Sequence, residues 1–275
     1  MDRYAVIGHP IGHSKSPLIH TGFAQACEQA LQYTAIEAPL DGFNATVDAF
    51  RAQGGLGVNV TLPFKLQACE YATHVSPRAA RAGAANALKF DGLHCHADNF
   101  DGVGLVRDIT HNLRCSMAGK RVLILGAGGA TRGAIEPLLA EHPGQLFIAN
   151  RTAIKAHELV DVFGGMATHG TLLQGGGYQD IEGAFDVVIN ATSASLGGES
   201  LPIGHQVFAP QALAYDMMYG KGLTPFLQLA QTAGVQHMAD GVGMLVEQAA
   251  EAFAWWRGVR PPTREMIARI TVPLA

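Results

Sequence analysis

Residues 123–135 read LILGAGGATRGAI, in which apolar residues lead into a glycine-rich turn and then into a helical pattern. A glycine fingerprint in this strand–turn–helix context indicates a dinucleotide-binding motif. Gly126 would form the tight turn, and Gly128 would let the backbone approach a pyrophosphate at the helix N-terminus. The third fingerprint position holds Thr131 instead of Gly or Ala, so the glycines alone leave an ordinary glycine-rich turn open. The residues predicted to line the cofactor here are Gly126, Ala127, Gly128, Gly129 and Ala130.

The residues after the next apolar run indicate which dinucleotide is bound. QLFIAN (145–150) reads as a strand, and an NAD enzyme typically carries Asp or Glu at its end to bond the ribose hydroxyls. Here Arg151 follows, and its planar guanidinium suits the oxygens of a 2′-phosphate, which a carboxylate would repel. Arg132 could add a second cation, whereas Lys155 is equally well explained as solvated surface charge. The sequence therefore favours NADP, with binding residues Asn150, Arg151, Thr152 and Lys155.

The length, net charge and composition of the chain limit the classes of protein to which it can belong. The chain has 275 residues and a formal net charge of −4, which suits two globular domains and not a binder of nucleic-acid backbones. No apolar run approaches the ~18 residues needed to cross a bilayer, and no charged segment followed by a long apolar stretch opens the sequence. Four cysteines without a C-x-x-C pair are typical of reduced thiols. We expect a cytoplasmic protein with no nucleic-acid or membrane partner.

Short β-rich runs alternate with helical stretches, which predicts α/β domains with parallel sheets covered by helices. In the first half, NALKFDGLHCHADN (86–99) reads as a hairpin around Asp91-Gly92. A helix beginning near Pro17 would have Ser16 as its N-cap. Residues 102–113 read as one connecting helix, and the glycines at 175–177 read as a surface turn. The other predicted strands lie at residues 3–8, 31–38, 55–61, 120–128, 186–192, 212–218 and 235–241.

Polar residues gather where the predicted strands of the first half end. HSKSP (13–17) follows the first strand, NVTLPFK (59–65) follows the third, and NFDG (99–102) follows the hairpin. Ligands of open α/β sheets bind at the carboxyl ends of strands. Ser14 and Ser16 could donate to a carboxylate at a helix start, although capping explains Ser16 equally simply. By composition alone each cluster is an ordinary loop.

As an ordered series, these motifs resemble the shikimate dehydrogenase family over nearly the whole chain. The series is HSKSP, NVTLPFK, GAAN, DNFDG, GAGGA, ANRT, NATS, YDMMYGKGLTPFL and DGVGMLVEQAAEAF. The resemblance implies a substrate-binding α/β domain, residues 1–101, completed by C-terminal helices in 239–275. It implies a Rossmann NADP-binding domain, residues 102–238, inserted into the first, with the active site in the cleft between them.

The resemblance also implies an activity and the residues that carry it. The activity is reversible NADPH-dependent reduction of 3-dehydroshikimate to shikimate, in chorismate and aromatic amino-acid biosynthesis, without a metal. Ser14 and Ser16 would bind the carboxylate, and Lys65 with Asp101 would form the catalytic pair. Hydride reduction of a ketone builds negative charge on oxygen, to which a lysine can give a proton while a carboxylate holds it. The other implied substrate-binding residues are Thr61, Asn86, Tyr219 and Gln248. Those implied near the nicotinamide are Met217, Gly241 and the NATS segment around Ala191. A homodimer is the candidate assembly.

Three positions depart from the family pattern, and two alternative functions stay open. Phe100 replaces the Thr of D-N-T-D-G, Ala87 replaces the Thr of A-V-N-T, and Pro77 stands where some members carry an acid. One alternative is a quinate/shikimate dehydrogenase of broader specificity, which tends to carry an acidic residue near the ribose. The other is a non-catalytic NADP-binding sensor, which would not need a Lys–Asp pair. The pair His94-x-His96 has no carboxylate or cysteine nearby at a spacing useful for a metal ligand, so we expect surface histidines there.

Overall fold

The computed structural model describes residues 1–192, 201–220 and 222–274, and the chain divides into two compact units. The first unit comprises Met1–Gly104 and Val246–Met266, and the second comprises Leu105–Leu245 and Ile267–Ala275. In sequence, the main stretch of the second unit, Leu105–Leu245, therefore separates the two stretches of the first. Among the described residues, no helix is both long and apolar enough to cross a membrane.

The regular elements alternate along the chain as the sequence pattern predicts. The strands are β1 (Asp2–Gly8), β2 (Leu31–Glu37), β3 (Gly55–Val60), β4 (His74–Val75), β5 (Ala87–Asp91), β6 (His94–Asp98), β7 (Arg121–Leu125), β8 (Gln145–Ala149), β9 (Leu172–Gly176), β10 (Phe185–Asn190), β11 (Phe208–Asp216) and β12 (His237–Asp240). The helices are α1 (Ser16–Ala26), α2 (Phe43–Ala52), α3 (Lys65–Tyr71), α4 (Pro77–Ala82), α5 (Asp101–Arg107), α6 (Gly129–Ala140), α7 (Ala153–Phe163), α8 (Pro225–Thr232), α9 (Val242–Arg257) and α10 (Arg264–Ile270).

The first unit is built on a mixed sheet of six strands in the order β2-β1-β3-β5-β6-β4. Strand β5 is antiparallel to both of its neighbours, whereas β1 pairs parallel with β2 and β3, and β4 pairs parallel with β6. All strands except β5 therefore run in one direction. Helix α2 covers the sheet with Phe43, Val47 and Phe50, whose helical spacing places them on one buried face.

The second unit is built on six parallel strands in the order β12-β11-β10-β7-β8-β9. Counted from β7, this is the Rossmann order 3-2-1-4-5-6. Helices cover both faces of such a sheet, so its central strands are apolar on both sides, as Val122–Leu125 are. The strand order reverses between β7 and β10, which is where doubly wound sheets bind their ligands.

The boundaries of the units differ slightly from the expected ones. The first falls inside α5, at Gly104/Leu105, because Leu105 and Val106 pack into the core of the second sheet. The second falls at Leu245/Val246 because β12 pairs with β11 and so belongs to the second sheet. The segment from Ile267 groups with the second unit, where Leu274 packs against the apolar cluster that contains Phe226.

Two local predictions at helix starts and ends were wrong. Ser16 is the first residue of α1, and the N-cap is Lys15. At this helix start the Ser14 hydroxyl accepts a hydrogen bond from Ser16 N at 3.3 Å. The connecting helix is α-helical only to Arg107 and continues as a π-helical turn, Asp108–Asn112. The buried Asp108 carboxylate accepts hydrogen bonds from the Tyr215 hydroxyl and the Asn112 amide, and this wider turn accommodates it.

The glycines at 175–177 do not form a surface turn. Gly175 and Gly176 end strand β9, and helix α7 packs so closely that a Cβ on Gly175 would lie 2.8 Å from the carbonyl oxygen of Ala156. Gly177 N donates to the Asp180 carboxylate at 2.7 Å, starting a short 3₁₀ turn. The glycine run therefore permits a close approach of helix to strand.

Gly175→Ala should destabilise the protein by ~1–3 kcal/mol, because the added methyl group would overlap backbone atoms that cannot move independently. Gly164→Ala is the matched control, since a Cβ there meets no atom within 4 Å and the φ of −55° suits alanine. Urea unfolding of both variants, followed by circular dichroism, measures the difference. Equal midpoints for the two variants would contradict the close packing of α7 on β9.

Candidate active site

The polar clusters of the first unit lie at one edge of its sheet. The segments containing Ser14 and Lys65 follow β1 and β3, which are adjacent and parallel. Asn86 precedes the antiparallel strand β5, and Asp101 follows β6, which runs the same way as β3. The direction of each strand thus brings these four segments, distant in sequence, to the same carboxyl edge.

Lys65 and Asp101 form a direct ion pair at this edge. Lys65 Nζ lies 2.6 Å from Asp101 Oδ2, and both side chains are partly buried. Lys65 is the first residue of α3 and Asp101 the first of α5, so two helix starts hold the pair. A charge-assisted hydrogen bond of this length orients the ammonium group strongly.

Asn86 connects this pair to a third element. Its Nδ2 donates to Asp101 Oδ1 at 2.8 Å and to Gln248 Oε1 on α9 at 3.2 Å. Its Oδ1 accepts from Phe100 N at 2.9 Å, so the amide orientation is fixed on both sides. The structure therefore brings together Lys65, Asn86, Asp101 and Gln248, which were predicted separately.

Ser14, Ser16 and Thr61 lie at the same edge without a direct hydrogen bond to that group. Ser14 is partly buried at the start of α1, and Ser16 is almost fully buried. Thr61 leaves β3 and donates its backbone N–H to Ile7 O at 2.9 Å, next to the end of β1. These three residues stay predicted ligands of the substrate.

The departures from the family pattern have a packing explanation. Ala87 and Phe100 belong to the same apolar cluster, which also contains Ala252, so the small residue leaves room for the large one. The Arg78 guanidinium lies 4.7 Å from the Phe100 ring centre and pairs with both oxygens of Asp98. Pro77 opens α4, where a missing N–H costs nothing. Phe100 therefore packs into the interior while its neighbour Asp101 joins the site.

In the second unit, the glycine-rich turn lies at the reversal of strand order. Gly126 has a φ of +107°, and a Cβ on it would lie 3.0 Å from the Thr192 methyl group, so glycine is required. Thr131, the departure from the fingerprint, is buried and donates its hydroxyl to Gly126 O at 2.8 Å. It packs helix against strand and also fastens the turn, which explains why Thr is tolerated there.

The turn is shaped to accept a dinucleotide phosphate. A Cβ on Gly128 or Gly129 would meet no atom within 4 Å, and neither has a positive φ, so packing of the protein does not require these glycines. Helix α6 begins at Gly129, and its N-terminal N–H groups favour an anion. Ala127 belongs to this turn, and Ala130 lies in the first turn of α6.

The end of β8 carries exposed positive charge and no carboxylate. Asn150 follows the strand, and its side chain accepts from Ala127 N at 3.2 Å and donates to Thr152 O at 2.9 Å. Arg151 and Lys155 are exposed, and neither has an ion-pair partner in the part of the chain that the structure describes. Burial raises the pKa of Tyr178, and the nearby charge of Arg151 opposes that shift.

The remaining predicted residues of the second unit follow β11 and β12. Gly241 packs against Met217 so tightly that a Cβ would lie 2.2 Å from Met217 O, and Gly241 N donates to Met218 O at 3.0 Å. Tyr219 is partly exposed in the same loop, and its pKa is raised by burial and by the Asp240 carboxylate. Ala191 follows β10 and donates its N–H to Leu125 O at 2.9 Å, while the end of the NATS segment, Ser193, lies outside the described residues.

Two buried acids that hold this loop were missed in the sequence. Asp216 accepts from Met218 N and from the side chains of Asn190 and Thr224. Asp240 accepts from Gly220 N and Val242 N. Each acid ends an apolar strand, which is the same signal that marked the polar clusters of the first half. Burial, more than the neighbouring Asp216, raises the pKa of Asp240.

The histidines of the hairpin are joined by a third. His74 pairs with His96 across β4 and β6, and their rings stack at 4.8 Å with an interplanar angle of 22°. Stacked imidazoles do not direct their lone pairs at one point. Within the described residues, no group of three or more His, Cys, Asp or Glu side chains is arranged to hold a metal ion.

Comparison with known proteins agrees with this architecture. Residues 6–88 match a model of the shikimate dehydrogenase substrate-binding domain, residues 107–197 match shikimate/quinate 5-dehydrogenase, and residues 241–271 match the shikimate 5′-dehydrogenase C-terminal domain. The chain is 57% identical to a shikimate dehydrogenase (NADP(+)) of Dechloromonas aromatica, over 99% of this chain and 98% of that protein.

Solved structures give the same result. The crystal structure of an Ael1 enzyme from Pseudomonas putida is 55% identical, with a TM-score of 0.94 and full coverage of both chains. Shikimate 5-dehydrogenase of Thermus thermophilus, solved with NADP(H) and shikimate, is 29% identical, with a TM-score of 0.85 and 98% coverage of each chain. The chain therefore belongs to the shikimate dehydrogenase family.

Proposed function

We propose that this protein is an NADP-dependent shikimate dehydrogenase, which reversibly reduces 3-dehydroshikimate to shikimate in aromatic amino-acid biosynthesis. The observation that carries the proposal is the Lys65–Asp101 ion pair, held by Asn86 beside Gln248. Relatives at more than half identity over nearly the full length bear the same activity in their names.

The residues of the second unit fit NADP. The open space beside Gly128 and Gly129 at the start of α6 suits a pyrophosphate, and the exposed Arg151 suits a 2′-phosphate. When bound, NADPH supplies the hydride. No carboxylate stands at the end of β8, where an NAD enzyme would bond the ribose.

The first unit supplies the proton and the alignment of the substrate. In the reduction, the Lys65 ammonium donates a proton to the oxygen on which negative charge develops, and in the oxidation the neutral amine takes it back. Asp101 Oδ2 holds the lysine, and Asp101 Oδ1 accepts a hydrogen bond from the Asn86 amide. Ser14 and Ser16 bind the carboxylate of the substrate, and Thr61, Asn86, Gln248 and Tyr219 bind its hydroxyls.

The two alternative functions are less well supported. Broad quinate/shikimate dehydrogenases tend to use NAD, for which the Arg151 end of β8 is unsuited. A sensor would have no use for a lysine and an aspartate held in contact by a dedicated amide. Incubation with shikimate and NADP, in which the absorbance of NADPH is followed, distinguishes the three functions when quinate and NAD are run in parallel.

The four cysteines are free thiols, which favours the cytoplasm as the location of the protein. Sedimentation would test whether the protein is a homodimer.

Lys65→Ala should lower kcat by ~10²–10⁴-fold at saturating shikimate, because it removes the proton donor. Lys65→Arg should also stay impaired, since guanidinium keeps the charge but does not release its proton. Lys89→Ala is the control: Lys89 belongs to the same sheet, and its Nζ contacts the backbone and the ring of Trp255. Steady-state rates, with NADP binding by fluorescence to verify folding, measure the effect. Near-normal turnover in Lys65→Ala would contradict the mechanism.

Arg151→Ala should weaken the use of NADP by about 2 kcal/mol, roughly 30-fold in kcat/KM, and leave NAD nearly unchanged. The expected difference arises because only NADP carries the 2′-phosphate. Arg114→Ala, at an exposed arginine of the same unit, serves as the control for loss of surface charge. The ratio of kcat/KM for the two cofactors is the measurement. An equal loss with both cofactors would show that Arg151 does not contact the phosphate.

A further inference from the structure

Tyr33 lies behind the substrate edge of the first unit and has no role in the function proposed above. It is in the middle of β2 and is buried, with 7% of its surface exposed. Its hydroxyl donates to Asn59 Oδ1 at 2.7 Å. Burial raises the pKa of Tyr33 well above its ordinary value. The phenol hydroxyl thus holds the side chain of a buried residue on β3, the strand that leads to Thr61 and Lys65.

The partner of Tyr33 continues the connection toward the reacting groups. Asn59 is buried on β3, and its Nδ2 donates to the carbonyl oxygen of Asn86 at 3.3 Å. Because Tyr33 takes the amide oxygen of Asn59, the amide nitrogen must face Asn86. The side chain of Asn86 in turn binds the Asp101 carboxylate. A continuous series of hydrogen bonds therefore leads from Tyr33 to the Lys65–Asp101 pair.

The ring of Tyr33 is held by aromatic packing. His20 stacks on it with a centroid distance of 4.2 Å and an interplanar angle of 2°, and Trp256 lies at 6.5 Å. Burial lowers the pKa of His20 to about 3, although the Asn59 side chain acts in the opposite direction and raises it. The imidazole is therefore neutral. Neither ring nitrogen of His20 has a hydrogen-bond partner among the described residues. His20 thus serves to stack on the Tyr33 ring.

We infer that Tyr33 is a positioning residue for the dehydrogenase reaction: its hydroxyl fixes the Asn59 amide, which holds the backbone of Asn86, and the side chain of Asn86 binds the catalytic pair. The inference rests on the proposed function, since that function assigns Lys65 and Asp101 to the reacting oxygen.

Tyr33→Phe removes the hydroxyl and keeps the stacked ring. We expect kcat/KM for shikimate to fall about tenfold, because the buried Asn59 oxygen loses its donor and the amide is no longer held. The KM for NADP should stay unchanged. Tyr4→Phe is the matched control, since Tyr4 lies in the same apolar cluster, stacks on Trp256 at 4.8 Å, and bonds Arg257 through its hydroxyl, away from the site residues. It should lose stability but keep kcat/KM.

Two further variants separate positioning from stability. Replacing Tyr33 by 4-aminophenylalanine keeps an N–H donor at the same position and should recover kcat/KM to within about threefold of wild type. In an Asn59→Ala background, Tyr33→Phe should change kcat/KM by less than about twofold, because its partner is already lost.

The outcomes are distinguishable from those of the proposed function. Absence of shikimate oxidation by the wild-type enzyme would overturn the function and the inference that rests on it. Normal wild-type activity together with a Tyr33→Phe value within twofold of wild type would overturn the inference alone. Equal losses in Tyr33→Phe and Tyr4→Phe, or no recovery with 4-aminophenylalanine, would also overturn it, because they indicate a structural effect.

Discussion

The side-chain amide of Asn86 joins segments that are far apart in the sequence. The amide binds Phe100 in the loop after β6, Asp101 at the start of α5 and Gln248 on α9. The backbone carbonyl of Asn86 accepts hydrogen bonds from Val60 N and from the Asn59 side chain. An amide is suited to this place because it can donate and accept at once without adding charge next to the lysine–carboxylate pair. Loss of this group would leave several buried polar atoms unpaired together, which is far more costly than the loss of one surface bond.

Much of the fold follows from patterns that are local in sequence. The apolar run before Gly126 and the helix after it specify β7, the turn and α6, because a parallel strand is buried on both faces. Polar residues after predicted strands drew attention to Lys65 and Asp101, whereas Asn86 was implied by the family resemblance. The direction of β5 explains why the start of one strand and the ends of its neighbours meet at one edge.

The parts that could not be predicted depend on contacts between distant segments. Nothing near Gly175 in sequence shows that α7 approaches it, so its glycine run resembles a turn. In sequence, Thr131 departs from the dinucleotide-binding fingerprint, and only the structure shows that its hydroxyl donates to Gly126 O. Tyr33 reads as one more aromatic residue of a strand, since its hydrogen-bond partner Asn59 comes from another strand.

The division of the first unit between two stretches of chain affects how the protein can fold during its synthesis on the ribosome. The first sheet is complete after residue 98, but Val246–Met266, with Phe253, Trp256 and Gln248, are synthesised only after Leu105–Leu245, which contains the whole second sheet. Until then, the aromatic surface around Tyr4 and Tyr33 lacks its partners from α9. The second sheet, which is continuous in sequence, can therefore form during translation before the first unit is completed. The amide of Asn86 acquires its Gln248 partner only late in synthesis, so the proposed substrate site is completed after both sheets have been synthesised.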